Sequence, residues 1–272
     1  MFNKYAEPIV GQQMPIVNKP GAGGAIGWAE LVRSRADGYT MAVITPPFNI
    51  IPALVQPKQT GYTPDQFTYV SIDAIVPDAL YVREDSQFKT LKDLQDYAKA
   101  NPEKVKAANT GTLGADYMTT LLIEYALGVK FTQVPFTGGA QSLQATLAGT
   151  TDVMVASANY IEAQKGKLRA LGIATETRDP QFPNTPTFKE QGFDVLSERY
   201  RAFGGPKGLP RDIVDYWAQV SKQIVSNPNF KAEMDKQGQP AAYLGPAAAS
   251  ARIQKMTQDM QKLVEKYDLV QK

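Results

Sequence analysis

The sequence has 272 residues, 43% apolar and 21% charged, enough chain for two domains of about 130 residues. Twenty-nine Lys and Arg stand against 27 Asp and Glu, and a net charge of +2 gives no electrostatic ground for a nucleic-acid or anionic-membrane partner. Neither His nor Cys occurs, which excludes Ser-His and Cys-His nucleophile pairs, thiolate chemistry and zinc sites built from imidazole or sulfur.

The first ten residues lack the basic start, apolar stretch and small-residue cleavage site of a signal peptide, and read as a helix running into Gly11. Strands are expected at Met14 to Asn18, Thr40 to Ile44, Tyr69 to Val76, Leu80 to Arg83, Val105 to Ala108, Phe131 to Pro135, Asp152 to Ala156 and Arg169 to Ala174. Helical patterns separate them. Thr90-Leu91-Lys92-Asp93 has the form of a capping box, and Pro102 stops the helix that it opens. Ala115 to Leu127 is closed by Gly128, and Ala140 to Ala148 by Gly149. Pro210 opens a helix over Arg211 to Ser226, and from there onward the pattern is helical without an obvious strand. Ile253, Met256, Met260, Leu263, Val264 and Tyr267 form a core-facing stripe on the final helix. Strands alternating with helices predict an α/β fold with largely parallel sheets. No window approaches the ~18 apolar residues of a membrane span.

The segment Pro15 to Gly27 imitates a dinucleotide-binding turn, but Ile26 stands where its third glycine belongs, and no ribose-binding acid follows Ile44-Thr45-Pro46. No phosphate-binding loop is present either. Five loops follow predicted strands: the glycine turn and four more, Thr45 to Asn49, Asn109 to Tyr117, Pro135 to Ala140 and Ala156 to Tyr160, which carry small hydroxyl and amide residues. Such groups, with backbone amides at helix N-termini, hydrogen-bond a carboxylate without a fixed positive charge, and ligands of open α/β sheets bind at the carboxyl ends of the strands. The carboxylate groupings Glu84-Asp85, Glu190 with Asp194, and Asp212 with Asp215 read as solvated surface. No catalytic residue, metal site or cofactor is expected.

In order along the chain, Pro15-Ile16-Val17-Asn18-Lys19-Pro20-Gly21-Ala22-Gly23-Gly24, Ala36-Asp37-Gly38-Tyr39-Thr40, Tyr62-Thr63-Pro64-Asp65-Gln66-Phe67, Val134-Pro135-Phe136-Thr137-Gly138-Gly139 and Gly166-Lys167-Leu168-Arg169-Ala170-Leu171 resemble the substrate-binding proteins of tripartite tricarboxylate transporters, the TctC or Bug family. The resemblance implies a periplasmic-binding-protein-like fold of type II, two α/β lobes with mixed, mostly parallel sheets joined by two crossover strands, with a cleft between them. Lobe one would be residues 1–85 plus 200–272, and lobe two 86–199, with the crossovers near Leu80 to Asp85 and Glu198 to Gly204. It implies a periplasmic, non-enzymatic protein that captures a small organic carboxylate, whether a di- or tricarboxylate, an amino acid or an aromatic acid, for a two-component membrane permease. Family members start with a signal peptide, a strand and a glycine-rich loop that are missing before Met1 here, so reduced stability or strand exchange is an expectation.

The ligand contacts expected are Thr45, Phe48 and Asn49 from lobe one, and Asn109, Thr110, Gly111, Thr112, Tyr117, Phe136, Thr137, Gly138, Ser157 and Asn159 from lobe two. Arg201 is the expected charged partner of a ligand carboxylate, with Arg199 as runner-up. Phe48, Tyr117, Phe136, Tyr160 and Tyr200 favour an aromatic acid weakly, and core packing accounts for them equally. The competing reading is a hydrolase or lyase acting on a small carboxylate, against which the lack of His, Cys and paired cleft carboxylates counts.

Overall fold

A computed structural model describes residues 1–19, 22–110, 114–237 and 239–270. The chain divides into two compact units, the first Met1–Ile75 with Arg199–Lys272 and the second Val76–Glu198.

The first unit begins with α1 (Phe2–Val10), which ends at Gly11 in the left-handed conformation, φ 75°. Its inner face is aromatic: Phe2 stacks on Phe203 with ring centroids 4.6 Å apart, and Tyr5 meets Phe230 edge-on. The strand expected at Met14 to Asn18 does not form. That stretch has no regular structure, and Ile16 and Val17 are 63% and 70% exposed. Its β-prone residues have no ladder partner among the described residues, and propensity without a partner strand does not make a sheet. A 3₁₀ turn at Ala22–Gly24 leads into α2 (Ala25–Arg33), which buries Trp28 and Leu31. After β1 (Ala42–Ile44) come α3 (Ile50–Val55) and α4 (Pro57–Thr60).

Next, β2 (Phe67–Arg83) is one strand of 17 residues where two were expected. Pro77, which suggests a break because it donates no hydrogen bond, instead accepts one at its carbonyl from Ala158 N–H at 2.8 Å. The chain passes into the second unit within β2.

In the second unit, α5 (Leu91–Ala100) carries the expected capping box: Asp93 N–H donates to Thr90 Oγ1 at 3.1 Å and Thr90 N–H to Asp93 Oδ2 at 2.9 Å. There follow β3 (Lys106–Thr110), α6 (Ala115–Leu127, closed by Gly128 at φ 67°), β4 (Thr132–Phe136), α7 (Gly139–Leu147), β5 (Val153–Ser157), α8 (Tyr160–Ala163) and β6 (Leu168–Ile173). The sheet order is β6-β2-β5-β3-β4. Leu80 and Val82 face one core with Leu94, Ile123 and Phe188, whereas Ala79 and Tyr81 face another with Ala108, Met154 and Ile173. Both faces are covered, so β2 here reads as a nearly continuous buried run rather than an alternating one.

The chain returns to the first unit at the start of β7 (Glu198–Pro206), which pairs antiparallel with β1 in the register Ile44 with Ala202. Then come α9 (Arg211–Ser226), α10 (Pro228–Lys236), β8 (Ala241–Leu244) and α11 (Pro246–Lys266). Strand β8 corrects the expectation of an all-helical ending. Its four half-buried residues are too few to show an alternation, and it exists because it pairs with β2, Ile72 opposite Leu244. Val70, Ala74, Phe203, Trp217, Ile224 and Phe230 form the centre of this unit.

The fold is mixed α/β, as expected. Its parallel share is smaller than expected: β3 is parallel to β4 and to β5, while β2 runs antiparallel to β5, β6 and β8. The expected divisions at 85/86 and 199/200 compare with unit boundaries at 75/76 and 198/199. Sequence gives no loop at the first of these because β2 crosses it without interruption.

Candidate functional site

In the first unit, the loop Thr45 to Asn49 leaves β1 and is tied down by its own backbone. Phe48 N–H donates to Thr45 O at 2.8 Å, and Tyr200 N–H to Pro46 O at 2.8 Å. Asn49 is fully buried; its Nδ2 donates to the Tyr69 hydroxyl at 3.2 Å, and the Tyr62 hydroxyl donates to its backbone carbonyl at 2.9 Å. Burial pushes the Tyr69 phenol up to about 12 and the Tyr62 phenol up as well, so both stay protonated donors. Asn49 Oδ1 is buried without a partner, an acceptor that a described side chain does not satisfy. Phe48 is 37% exposed, with the Arg199 guanidinium over its ring at 5.9 Å.

Arg201 sits two residues along β7 from Arg199 and is half-buried. Its Nε donates to Gln239 Oε1 at 2.9 Å, and among the described residues it forms no ion pair with a carboxylate. Burial, then the neighbouring Arg199 charge, lower its guanidinium from the ordinary value. A desolvated cation beside a like charge is an electrostatic arrangement that an anion relieves.

In the second unit, the parallel strands β4, β3 and β5 end level with one another, because Thr110 is in register with Phe136 and Ala108 with Met154. Their carboxyl ends bring together Thr110, Phe136, Thr137, Gly138, Ser157 and Asn159. A Cβ placed on Gly139 would lie 3.9 Å from Thr110 Cγ2, so the starts of the two loops adjoin. Both helices that leave these loops begin at a glycine, α6 at Gly114 and α7 at Gly138, and among the described residues no side chain caps either. The first N–H groups of a helix have no intrahelical acceptor, so these termini offer bare donors. At α6 the first turn already contains Asp116, which accepts from Thr110 Oγ1 at 2.6 Å. No acid occupies the first turn of α7. Thr137 is exposed beside it, its N–H and Oγ1 both donating to Gln141 Oε1, at 3.1 and 2.6 Å.

Other expected contacts are placed differently. Asn109 is 1% exposed and its amide is engaged internally: Nδ2 donates to Ala107 O at 3.2 Å and to Gln133 Oε1, and Oδ1 accepts from Thr120 Oγ1 at 2.9 Å. Ser157 O accepts from the Tyr81 hydroxyl at 2.9 Å, and Asn159 N–H donates weakly to Ser157 Oγ at 3.4 Å. Phe136 and Tyr160 pack against the core that contains Tyr81, and Tyr200 is buried. Tyr117 is half-buried, its phenol pushed up by burial and then by the charge of Glu124. Gly111 and Thr112 lie outside the described residues. Sequence reasoning missed Tyr62 and Tyr69, which hold Asn49, Gln133, which holds Asn109, and Glu124, which holds Gln133. Gln133 at an inner position of β4 was the one legible sign.

Four of the six acids weighed as catalysts are occupied at the surface: Glu84 with Arg169, Asp85 with Arg83, Glu190 with Arg178 at 2.7 Å and Asp215 with Arg211 at 3.7 Å. Among the described residues no three acidic side chains are placed to hold a metal ion, and no helix is long and apolar enough to cross a membrane.

The sequence profile of the tripartite tricarboxylate transporter family receptor, TctC, matches residues 2–269. The chain belongs to this family. A receptor of this kind is a solute-binding protein, and the fold agrees. A TctC solute-binding protein from Polaromonas superposes with a TM-score of 0.87 at 27% identity, over 97% of this chain and 91% of that one. MatC from Rhodopseudomonas palustris, solved with bound malate, superposes with a TM-score of 0.74 at 25% identity, over 97% and 92%. In sequence, the UPF0065 protein in the gbd 5' region of Cupriavidus necator is 32% identical over 236 residues, 85% of this TctC receptor and 70% of that protein.

Proposed function

We propose that this receptor binds a small aliphatic dicarboxylate in the periplasm and delivers it, unaltered, to a membrane permease of two components. Family membership and the malate held by MatC support the ligand class. The observation that carries the reading in this chain is the uncapped N-terminus of α7 at Gly138, set at the level ends of three parallel strands with no acid in its first turn. In the first unit Arg201, half-buried and without a carboxylate partner among the described residues, is the charged group suited to an anion. The aromatic residues favour aliphatic over aromatic ligands, because Phe136, Tyr160 and Tyr200 are committed to core packing.

Malate is the first probe, followed by unsubstituted dicarboxylates, tricarboxylates, amino acids and benzoate. Several hydrogen bonds of ~0.5–1.5 kcal/mol with one charge-assisted contact reach the ~8 kcal/mol of a micromolar site. At a hundredfold excess over Kd such a ligand stabilises the protein by about 2.7 kcal/mol, a melting shift of about 5–10 °C. Recovery of the added acid without product distinguishes a receptor from a hydrolase or lyase. No shift with any aliphatic dicarboxylate, or turnover of one, refutes the proposal.

A further inference from the structure

Helix α6 carries a buried polar row. Asp116, Thr120 and Glu124 follow at intervals of four, one above another on the face turned to the sheet, and are 5%, 0% and 2% exposed. Packing alone would place apolar residues there, as it does at Ile123 and Leu127. Each member of the row instead grips the sheet. Asp116 accepts from Thr110 Oγ1 on β3 at 2.6 Å, and Thr120 Oγ1 donates to Asn109 Oδ1 on β3 at 2.9 Å. Glu124 Oε1 accepts from Phe131 N–H at 2.9 Å and from Gln133 Nε2 on β4 at 2.5 Å.

These bonds close a directed circuit. Gln133 gives its amide N–H to Glu124 and therefore turns its carbonyl oxygen toward Asn109, which fills it with an Nδ2 proton. Asn109 must then point Oδ1 at Thr120, whose single hydroxyl proton is shared between Asn109 Oδ1 at 2.9 Å and Asp116 O at 2.8 Å, and which returns the circuit to α6 one turn before Glu124. A carboxylate accepts and cannot donate, so it fixes the sense of every amide in the series, and such chains strengthen one another. Asn109 is the residue directly before Thr110, where β3 enters the loop toward Gly114. Gly114 stands close to Thr110, since a Cβ on it would meet Thr110 O at 2.3 Å.

We propose that Glu124 is a positioning residue for the solute site: through Gln133 and Asn109 it fixes the end of β3, and so holds Thr110 in the place that receives the ligand. This rests on the carboxylate-receptor reading above. Glu124 touches no ligand itself. Burial pushes its carboxyl up to about 7 in spite of its bonds to Phe131 and Gln133, so its charge changes near neutrality. The charged and titratable groups facing it are Lys130, which pairs with Glu103, Glu103 itself, and Tyr117. Loss of that charge weakens the bond that orients Gln133.

The test reads the circuit and the ligand separately. Side-chain amide resonances of Asn109 and Gln133 are followed by nitrogen-15 NMR from pH 5.5 to 8.5, in the wild type and in Glu124→Gln. Malate affinity is measured in both over the same range. In the wild type both amides move together with one midpoint near 7, and malate binding weakens as pH falls through it. In Glu124→Gln that titration vanishes, and affinity is about fivefold lower at pH 8 and flat with pH. The pair Glu124→Met with Gln133→Leu replaces the buried contact with apolar volume, so it keeps the fold and still loses malate affinity. Amides indifferent to both pH and Glu124→Gln overturn the circuit. Amides that respond while malate affinity stays equal in all variants overturn the positioning role. Where the wild type does not bind malate, the aliphatic dicarboxylate that shifts its melting temperature replaces malate in the test, and binding of none of them overturns the carboxylate reading and the role with it, while the NMR arm still reports on the circuit.

Discussion

Asp73 is a buried acid that forms no ion pair among the described residues, and the pH dependence of folding should register its cost. It lies on β2 in the first unit, 6% exposed, with Oδ1 lacking a partner. Burial pushes its carboxyl from 3.8 up to about 7; the adjacent Ser71 hydroxyl offsets this only in part, and its oxygen also lacks a properly formed hydrogen bond. Tyr243, whose phenol is pushed up first by burial and then by the Asp73 charge, faces it from β8. Because the folded pKa exceeds the unfolded one, the native state holds the proton more tightly. Its stability is therefore greatest below about pH 4 as far as this group is concerned, declines as pH rises toward 7, and levels off above that. A shift of about 3 units at about 1.4 kcal/mol each gives a full cost of about 4 kcal/mol, of which about 2.5 kcal/mol accrues between pH 5 and 8. Asp73→Asn removes the charge at nearly constant shape. Thermal melts of both proteins at pH 5, 6, 7 and 8 should show the variant gaining about 5–10 °C on the wild type across that range. Parallel curves, or a variant that loses ground as pH rises, would refute the reasoning.

Replacing Gly139 by Pro removes one N–H from the start of α7 at the position where helices accept proline, after Gly138 already in extended backbone; malate affinity should fall about tenfold with the melting temperature nearly unchanged, as calorimetric titration would record. Arg201→Gln takes away a guanidinium that has no carboxylate partner among the described residues and should weaken malate about tenfold or more, while Arg211→Gln on the exposed end of α9 should not alter it. Thr90→Ala breaks the capping box of α5 and should cost about 1 kcal/mol in urea unfolding. Leu94→Ala, on the same helix but fully buried against Leu80 and Ile123, should cost about 2–5 kcal/mol in the same assay.

What could be read from the sequence followed the range of its cause. Helix α6 was expected at Ala115 to Leu127 and α9 at Arg211 to Ser226, and both stand there, because Gly128 and Pro210 act on the residues beside them. The capping box at Thr90 is local in the same way. Strands depend on distant partners. Met14 to Asn18 has the composition of a strand and no described neighbour, whereas Ala241 to Leu244 has little strand character and pairs with β2 all the same. The candidate site divides along similar lines. Its position at strand ends was legible from the order of strands, loops and glycines. The direction of each side chain was not: Asn109 looked like a ligand donor because its partners, Gln133 and Thr120, stand 24 and 11 residues away.

Helices α6 and α7 present main-chain amides where side-chain caps are usual. A peptide N–H has no pKa in the range of water, carries no rotamer entropy and is the same whatever residue bears it. On the proposed function, an alanine scan of the loop into α7 would therefore leave such a hold on an anion untouched, and drift in its sequence would reshape the walls around a guest while the acidic end stayed anchored. Selectivity and grip would then reside in different parts of the polypeptide, free to change at different rates.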